Sequence, residues 1–218
     1  NDGGANFELE YDALSDQGQC VAVTQVVYAP TDFSIQYAAT RDGNVIKSTD
    51  SGSSWTQTSD FDGFEGGGYY SRNEIVVSHN DPNIVYAGIK SGGSGMPPFM
   101  LNVTYDGGLE WHHVEENDKG NSEYFGDNWI GQQGGYNNFI AINPFNDREV
   151  YVGDINIHKF TVRDDTTKVS QAITDVYSQI DSDGVQKING YVHPDQHTMT
   201  TFSDGVSKFR LIVGNDGG

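Results

Sequence analysis

Ser48-Thr49-Asp50-Ser51-Gly52-Ser53-Ser54-Trp55 returns further along the chain as Thr104-Tyr105-Asp106-Gly107-Gly108-Leu109-Glu110-Trp111. Both octets hold a hydroxyl residue (Ser48, Thr104), an aspartate (Asp50, Asp106), a glycine (Gly52, Gly108) and a tryptophan (Trp55, Trp111) at the same offsets. Each residue type suits a tight turn between two strands. An aspartate side chain accepts hydrogen bonds from the backbone N–H groups of its own turn, and a hydroxyl does the same more weakly. Glycine takes a positive φ without a Cβ clash. The tryptophan then opens the next strand and can fill the gap between neighbouring sheets. A repeated turn implies a repeated sheet.

A second recurring signal surrounds the first. Ala29-Pro30-Thr31-Asp32 leads into Gln36-Tyr37-Ala38-Ala39, Asp81-Pro82-Asn83 into Val85-Tyr86-Ala87-Gly88, and Asn143-Pro144-Phe145-Asn146 into Val150-Tyr151-Val152-Gly153. Leu211-Ile212-Val213-Gly214 repeats the strand without the proline. Ala39, Gly88, Gly153 and Gly214 thus mark a blade-like period, with small residues where one strand passes close to another near a crowded axis. An apolar strand precedes each proline turn: Val23 to Ala29, Ile75 to Ser78, Phe139 to Ile142. Each unit reads strand, turn, strand, hairpin, strand.

The two octets resemble the Asp-box of the sialidase-type (BNR-repeat) β-propellers, Ser/Thr-x-Asp-x-Gly-x-x-Trp. That resemblance implies an all-β fold of four-stranded antiparallel blades. The blade-like units are expected at about 20–57, 74–114, 138–163 and 190–218. In the third, Phe160-Thr161-Val162-Arg163-Asp164-Asp165 stands where the box would be. Asn1-Asp2-Gly3-Gly4 and Asn215-Asp216-Gly217-Gly218 are the same tetrapeptide, so the segment holds about four blade-lengths. An arc of a larger propeller, within a larger chain, is the expected arrangement, because blades need neighbours to cover their faces. Only Val169 to Ile180 argues for a helix, with Val169, Ala172, Ile173, Val176, Tyr177 and Ile180 at three- and four-residue spacing. A late blade strand plus loop is the other reading of the same residues.

The totals narrow the partners. Net charge is −19 with only 12 Lys+Arg. Such a surface repels phosphate, which argues against nucleic acid and against docking on an anionic membrane. No run is long and apolar enough for direct membrane insertion. The single cysteine, Cys20, excludes an intrachain disulfide and reads as a small buried residue. A processed or truncated segment is expected from a start at Asn1. The resemblance extends to secreted BNR-repeat proteins of Bacteroidetes-like bacteria, carried by His-x-Asp-x-His ahead of Gly214-Asn215-Asp216-Gly217-Gly218 and by Gly134-Gly135-Tyr136 through Gly153-Asp154. It implies an extracellular or cell-surface location in a bacterium.

Three stretches could carry chemistry. In Tyr191-Val192-His193-Pro194-Asp195-Gln196-His197, an extended chain would turn His193, Asp195 and His197 to one side. Two imidazoles and a carboxylate suit a divalent metal, and Asp195 orienting the histidines within a turn is the other reading. In Tyr124 to Tyr136, the aromatic rings of Trp129 and Tyr136 alternate with the amides of Gln132 and Gln133. Aromatic faces stack on sugar C–H faces and amides bond to hydroxyls, while packing between blades is the bland alternative. Asp181 and Asp183, ahead of Gly184, alternate as in a calcium loop but lack its remaining ligands. A cofactor is not called for, and the one candidate is a divalent cation such as calcium. Asn102-Val103-Thr104 is formally a glycosylation sequon.

The resemblance to sialidases implies an arginine triad and a Tyr/Glu nucleophile pair. Arg41, Arg72, Arg148, Arg163 and Arg210 are the only arginines, and none is followed two residues later by proline. The expected function is therefore a non-catalytic propeller module that presents inter-blade loops to a glycan or to a surface or secreted protein, as sortilin-type propellers do. A glycoside hydrolase acting on a neutral polysaccharide is the alternative, since xyloglucan-hydrolysing enzymes share the Asp-box architecture. It would need two carboxylates across a cleft. A structural spacer or filament subunit is the third reading.

Overall fold

The computed structural model describes residues 21–59, 72–90, 99–116, 136–153, 156–163, 167–172, 193 and 195–217. All regular structure among them is β. Strands β1 (Val23–Ala29), β2 (Asp32–Thr40), β3 (Val45–Ser48) and β4 (Thr56–Gln57) form one antiparallel sheet in sequence order. A second sheet repeats the order with β5 (Glu74–Val77), β6 (Val85–Lys90), β7 (Phe99–Thr104) and β8 (His112–His113). Strand β9 (Glu115–Glu116) leaves the second sheet for the third, where it lies parallel to the outermost strand. That third sheet runs β10 (Phe139–Asn143), β11 (Asn146–Gly153), β12 (Ile157–Val162) and β13 (Thr167–Ala172). Strands β14 (Gln196–Ser203) and β15 (Phe209–Asn215) pair as a fourth unit.

The first strands of successive sheets pack on one another in the order β1, β5, β10, β14. The first strand, at one edge of each sheet, therefore lines a common side, and the sheets fan out from it as propeller blades. Apolar cores lie between blades. One joins Tyr37, Ala39 and Val45 of the first blade to Ile75, Val77, Val85 and Ala87 of the second. The other joins Tyr86, Leu101 and Val103 to Ile140, Ile142, Val150, Val152 and Phe160 of the third. Each buried aliphatic side chain of this kind stabilises the junction by about 1.5–3 kcal/mol relative to exposure. No helix among the described residues is long and apolar enough to cross a membrane.

The helical reading of Val169 to Ile180 is corrected over its described part. Val169 pairs with Thr161 and Ala172 with His158, inside strand β13. A short apolar run carries too few turns for its spacing to outweigh a free strand edge beside it. Residues 173–180 lie outside the described residues. The small residues at the blade period have a local cause beyond crowding at an axis. A Cβ on Gly153 would collide with the ring of Phe139, its cross-strand partner, and one on Gly214 would meet the Thr198 methyl at 2.9 Å.

Candidate functional site

Both octets fold as turns stitched by their own side chains. Asp50 Oδ1 accepts from Ser48 Oγ at 2.8 Å and from Ser54 N at 2.8 Å, while Ser48 Oγ accepts from Gly52 N at 2.8 Å. Asp106 Oδ1 accepts from Thr104 Oγ1 at 2.8 Å, Leu109 N at 2.9 Å and Glu110 N at 3.0 Å. Thr104 Oγ1 accepts from Gly108 N at 2.9 Å. Hydrogen bonds from Ser54 and Ser48 hold the Asp50 carboxyl down at about 2, and the Glu110 amide leads the same effect at Asp106. Gly52 and Gly108 take φ of 91° and 96°. Trp55 and Trp111 stand directly before β4 and β8. These turns shape the sheets' outer halves.

The opposite concentration of polar groups sits where the first strands begin. Arg72, just ahead of β5, is its centre. Its Nε donates to Glu74 Oε1 at 2.5 Å, its Nη1 to Tyr136 O at 3.4 Å and its Nη2 to His197 O at 3.3 Å. One guanidinium thus ties the second blade to the third and fourth. Arginine's planar fork of five donors suits that task. Asn138 Nδ2 donates to Arg72 O at 3.2 Å, as Asn73 Nδ2 donates to Thr40 O at 2.7 Å one blade earlier. Burial pushes the Glu74 carboxyl up, against the pull of Arg72.

Above this base stand three groups from two blades. His197 Nε2 lies 2.5 Å from Asp216 Oδ1, and Tyr136 OH lies 3.5 Å from Asp216 Oδ2. The Tyr136 and His197 rings meet edge to face at 4.8 Å. Tyr136 remains 57% exposed, so an aromatic ring and a carboxylate face solvent together. Asn137 Nδ2 reaches Asp195 Oδ1 at 2.7 Å. The amide oxygens Asn137 Oδ1 and Asn138 Oδ1 are buried without a hydrogen-bond partner. An exposed ring, a carboxylate and buried acceptors can hold a polar ligand, and no step of bond chemistry follows from them.

No known family profile matches the sequence, and no curated protein matches it. Among solved structures, YCF48 bound to a D1 peptide aligns at 13% identity and a TM-score of 0.45, over 71% of this chain and 40% of that one. The GH74 enzyme of Niastella koreensis aligns at 21% identity and a TM-score of 0.47, over 69% and 22%. The computationally designed Ika4 protein aligns at 17% identity and a TM-score of 0.44, over 96% and 95%. The chain therefore spans less than half the length of the first two.

The two stretches singled out separately in the sequence meet here, through Tyr136 and Asn137 on one side and Asp195 and His197 on the other. Convergence of His193, Asp195 and His197 on a metal is not what the backbone provides. Asp195 has φ of 68°, so the chain turns and the alternation behind that expectation is broken. Asp195 serves Asn137, His197 serves Asp216, and the His193 ring occupies the space beside Gly217. Among the described residues no three His, Cys, Asp or Glu side chains are grouped to hold a metal ion. Trp129, Gln132, Gln133, Asp181, Asp183 and Cys20 lie outside the described residues.

Sequence reasoning missed Arg72, Glu74, Asn137 and Asn138, and used Asp216 only as a turn residue. A signal was available. Arg72-Asn73, Tyr136-Asn137-Asn138 and Asp195 each stand directly ahead of a first strand, so the blade period points to one face.

Proposed function

We propose that the chain is a non-catalytic module of the Asp-box propeller type, secreted or displayed at a bacterial cell surface, that binds a glycan or a protein partner. The partner docks on the face bearing Tyr136, His197 and Asp216. One observation carries the reading: an exposed aromatic ring is held beside a carboxylate by bonds from three blades. Exposed aromatic and carboxylate groups are recognition chemistry, and their rigid support lowers the cost of ordering on binding. The −19 charge favours neutral or cationic partners over anionic ones.

Glycan-array and surface-protein screening followed by calorimetry tests this. Tyr136→Ala should weaken whichever partner is found about tenfold or more, as loss of a central aromatic does. Binding that ignores Tyr136→Ala, or no binding at all, removes the reading. Hydrolysis of a neutral oligosaccharide in the same samples would replace it with the glycoside hydrolase alternative.

A further inference from the structure

What the cluster around Tyr136 leaves unfilled is hydrogen-bond acceptors. Asn137 and Asn138 are fully buried, and each commits its Nδ2, to Asp195 Oδ1 at 2.7 Å and to Arg72 O at 3.2 Å. Their Oδ1 atoms have no partner. A buried carbonyl oxygen without a donor costs stability and leaves its negative end uncompensated. Asp216 is engaged unevenly. Its Oδ1 meets His197 Nε2 at 2.5 Å, while its Oδ2 lies 3.5 Å from Tyr136 OH, at the far limit of a hydrogen bond. The Asp216 side chain is 42% exposed. Arg72 is the cation in the cluster, and Glu74 meets its charge at 2.5 Å. Asp195 and Asp216 therefore set the sign of this face, and the whole chain, at a net −19, has the same sign. A ligand that fits brings donors and positive charge.

Tyr136 narrows the choice. Its ring is 57% exposed and has His197 edge to face against it, so a face of the ring stays open beside the Asp216 carboxylate. An aromatic face next to a carboxylate attracts a cation twice over, through the ring quadrupole and through the opposite charge. An ammonium and a guanidinium both qualify on charge, and geometry separates them. A guanidinium is a planar fork that gains most by bonding both oxygens of one carboxylate. His197 Nε2 already occupies Asp216 Oδ1, which leaves one oxygen. An ammonium is a compact charge that one carboxylate oxygen satisfies, and its alkyl stem can lie along an aromatic ring.

We propose, building on the reading of this face as the docking site, that it takes the side-chain ammonium of a lysine on a basic protein partner, in preference to arginine. The lysine Nζ bonds to Asp216 Oδ2, and its stem covers the open face of the Tyr136 ring. An amino sugar fits less well. Its ammonium stands among hydroxyls that seek donors as well as acceptors, whereas a lysine head brings donors only, and the two unfilled buried atoms here are both acceptors. The opposite charges of a basic protein and this chain also speed their encounter.

NMR titration of the full chain at physiological salt, with blocked Gly-Gly-Lys-Gly-Gly and with its arginine and Nε-acetyllysine counterparts, tests the proposal. The lysine peptide should bind, the arginine peptide should bind about tenfold more weakly, and acetylation should abolish binding. Asp216→Asn should weaken the lysine peptide about tenfold or more. Glu110→Gln removes the same charge from an exposed position of the second octet and should leave binding unchanged. The peptide series uses one unmodified protein, so a folding defect cannot imitate it. Equal binding of lysine and arginine, binding that survives acetylation, or indifference to Asp216→Asn overturns the proposal. Tighter binding of a glucosamine oligosaccharide than of the lysine peptide overturns it as well. The broader reading is judged separately. A glycan or protein weakened by Tyr136→Ala, with lysine peptides failing, removes only the lysine assignment, and the absence of any ligand that depends on Tyr136 removes both.

Discussion

The Asp50 and Asp106 turns have the same internal stitching and different surroundings. The Asp106 turn is clamped between blades. Lys47 Nζ of the first blade donates to Gly107 O at 3.0 Å, and Trp111 Nε1 reaches back to Thr58 O at 3.1 Å. The Asp50 turn closes on its own sheet, with Trp55 Nε1 donating to Gly52 O at 2.9 Å and Ser51 N to Ser34 O at 3.0 Å. The motif fixes a turn, and the blade in front of it decides whether that turn also becomes a joint. Substitutions at matching positions should therefore cost more in the second turn than in the first.

The glycines separate the two most widely. A Cβ on Gly108 would stand 2.7 Å from Thr58 Cβ, where one on Gly52 would stand 3.1 Å from the flexible end of Gln36. Both substitutions strain a positive φ, at about 1–2 kcal/mol. Gly108→Ala adds an overpacking cost of about 1–3 kcal/mol that Gly52→Ala avoids. Urea unfolding should show the larger loss for Gly108→Ala, and Thr58→Gly in that background should restore part of it. Equal losses would mean that the interblade clamp is not felt.

The tryptophans give a smaller contrast. Trp111→Phe leaves Thr58 O without its donor across a blade junction, which should cost about 1–2 kcal/mol. Trp55→Phe frees only Gly52 O in an outer turn, where water replaces the donor, and should cost about half as much. Thermal unfolding of both variants measures the difference, and a reversed order would break the distinction between joint and turn.

The turns were legible in the sequence because their chemistry is local. Ser48, Asp50 and Gly52 bond to one another, so spacing alone contains the structure. The blade junctions were legible through a period: Tyr37 and Tyr86 recur because each faces the same neighbour. Arg72 was not legible as a tie between blades, since the two partners that make it one, Tyr136 O and His197 O, belong to other blades and are backbone atoms that carry no residue identity. His193, Asp195 and His197 misled for a physical reason. Alternation holds only in extended chain, and Asp195 adopts a left-handed conformation there.

The smallest expected effect is a pH dependence, and its sign follows from the turns. Ser54 and Ser48 hold the Asp50 carboxyl from its ordinary 3.8 down to about 2. A carboxylate depressed on folding contributes stability that is present above its unfolded pKa and is lost as pH falls through the folded one. Asp106 and Asp204 are shifted the same way, each chiefly by a backbone amide of its own turn. Glu74 has the opposite sign, because burial raises it, so its contribution is present below its unfolded pKa and is lost as pH rises. Between 3.8 and about 2, stability should therefore fall with pH mainly through the aspartate turns. Asn at position 50 keeps an acceptor but has no proton to take up, so Asp50→Asn should flatten that part of the curve while lowering stability near neutrality. Asp106→Asn should flatten it as well, from a lower starting stability, because the turn it loosens also carries the contacts to Lys47 and Thr58. Parallel acid curves for wild type and both variants would show that the two carboxylates are not held by folding.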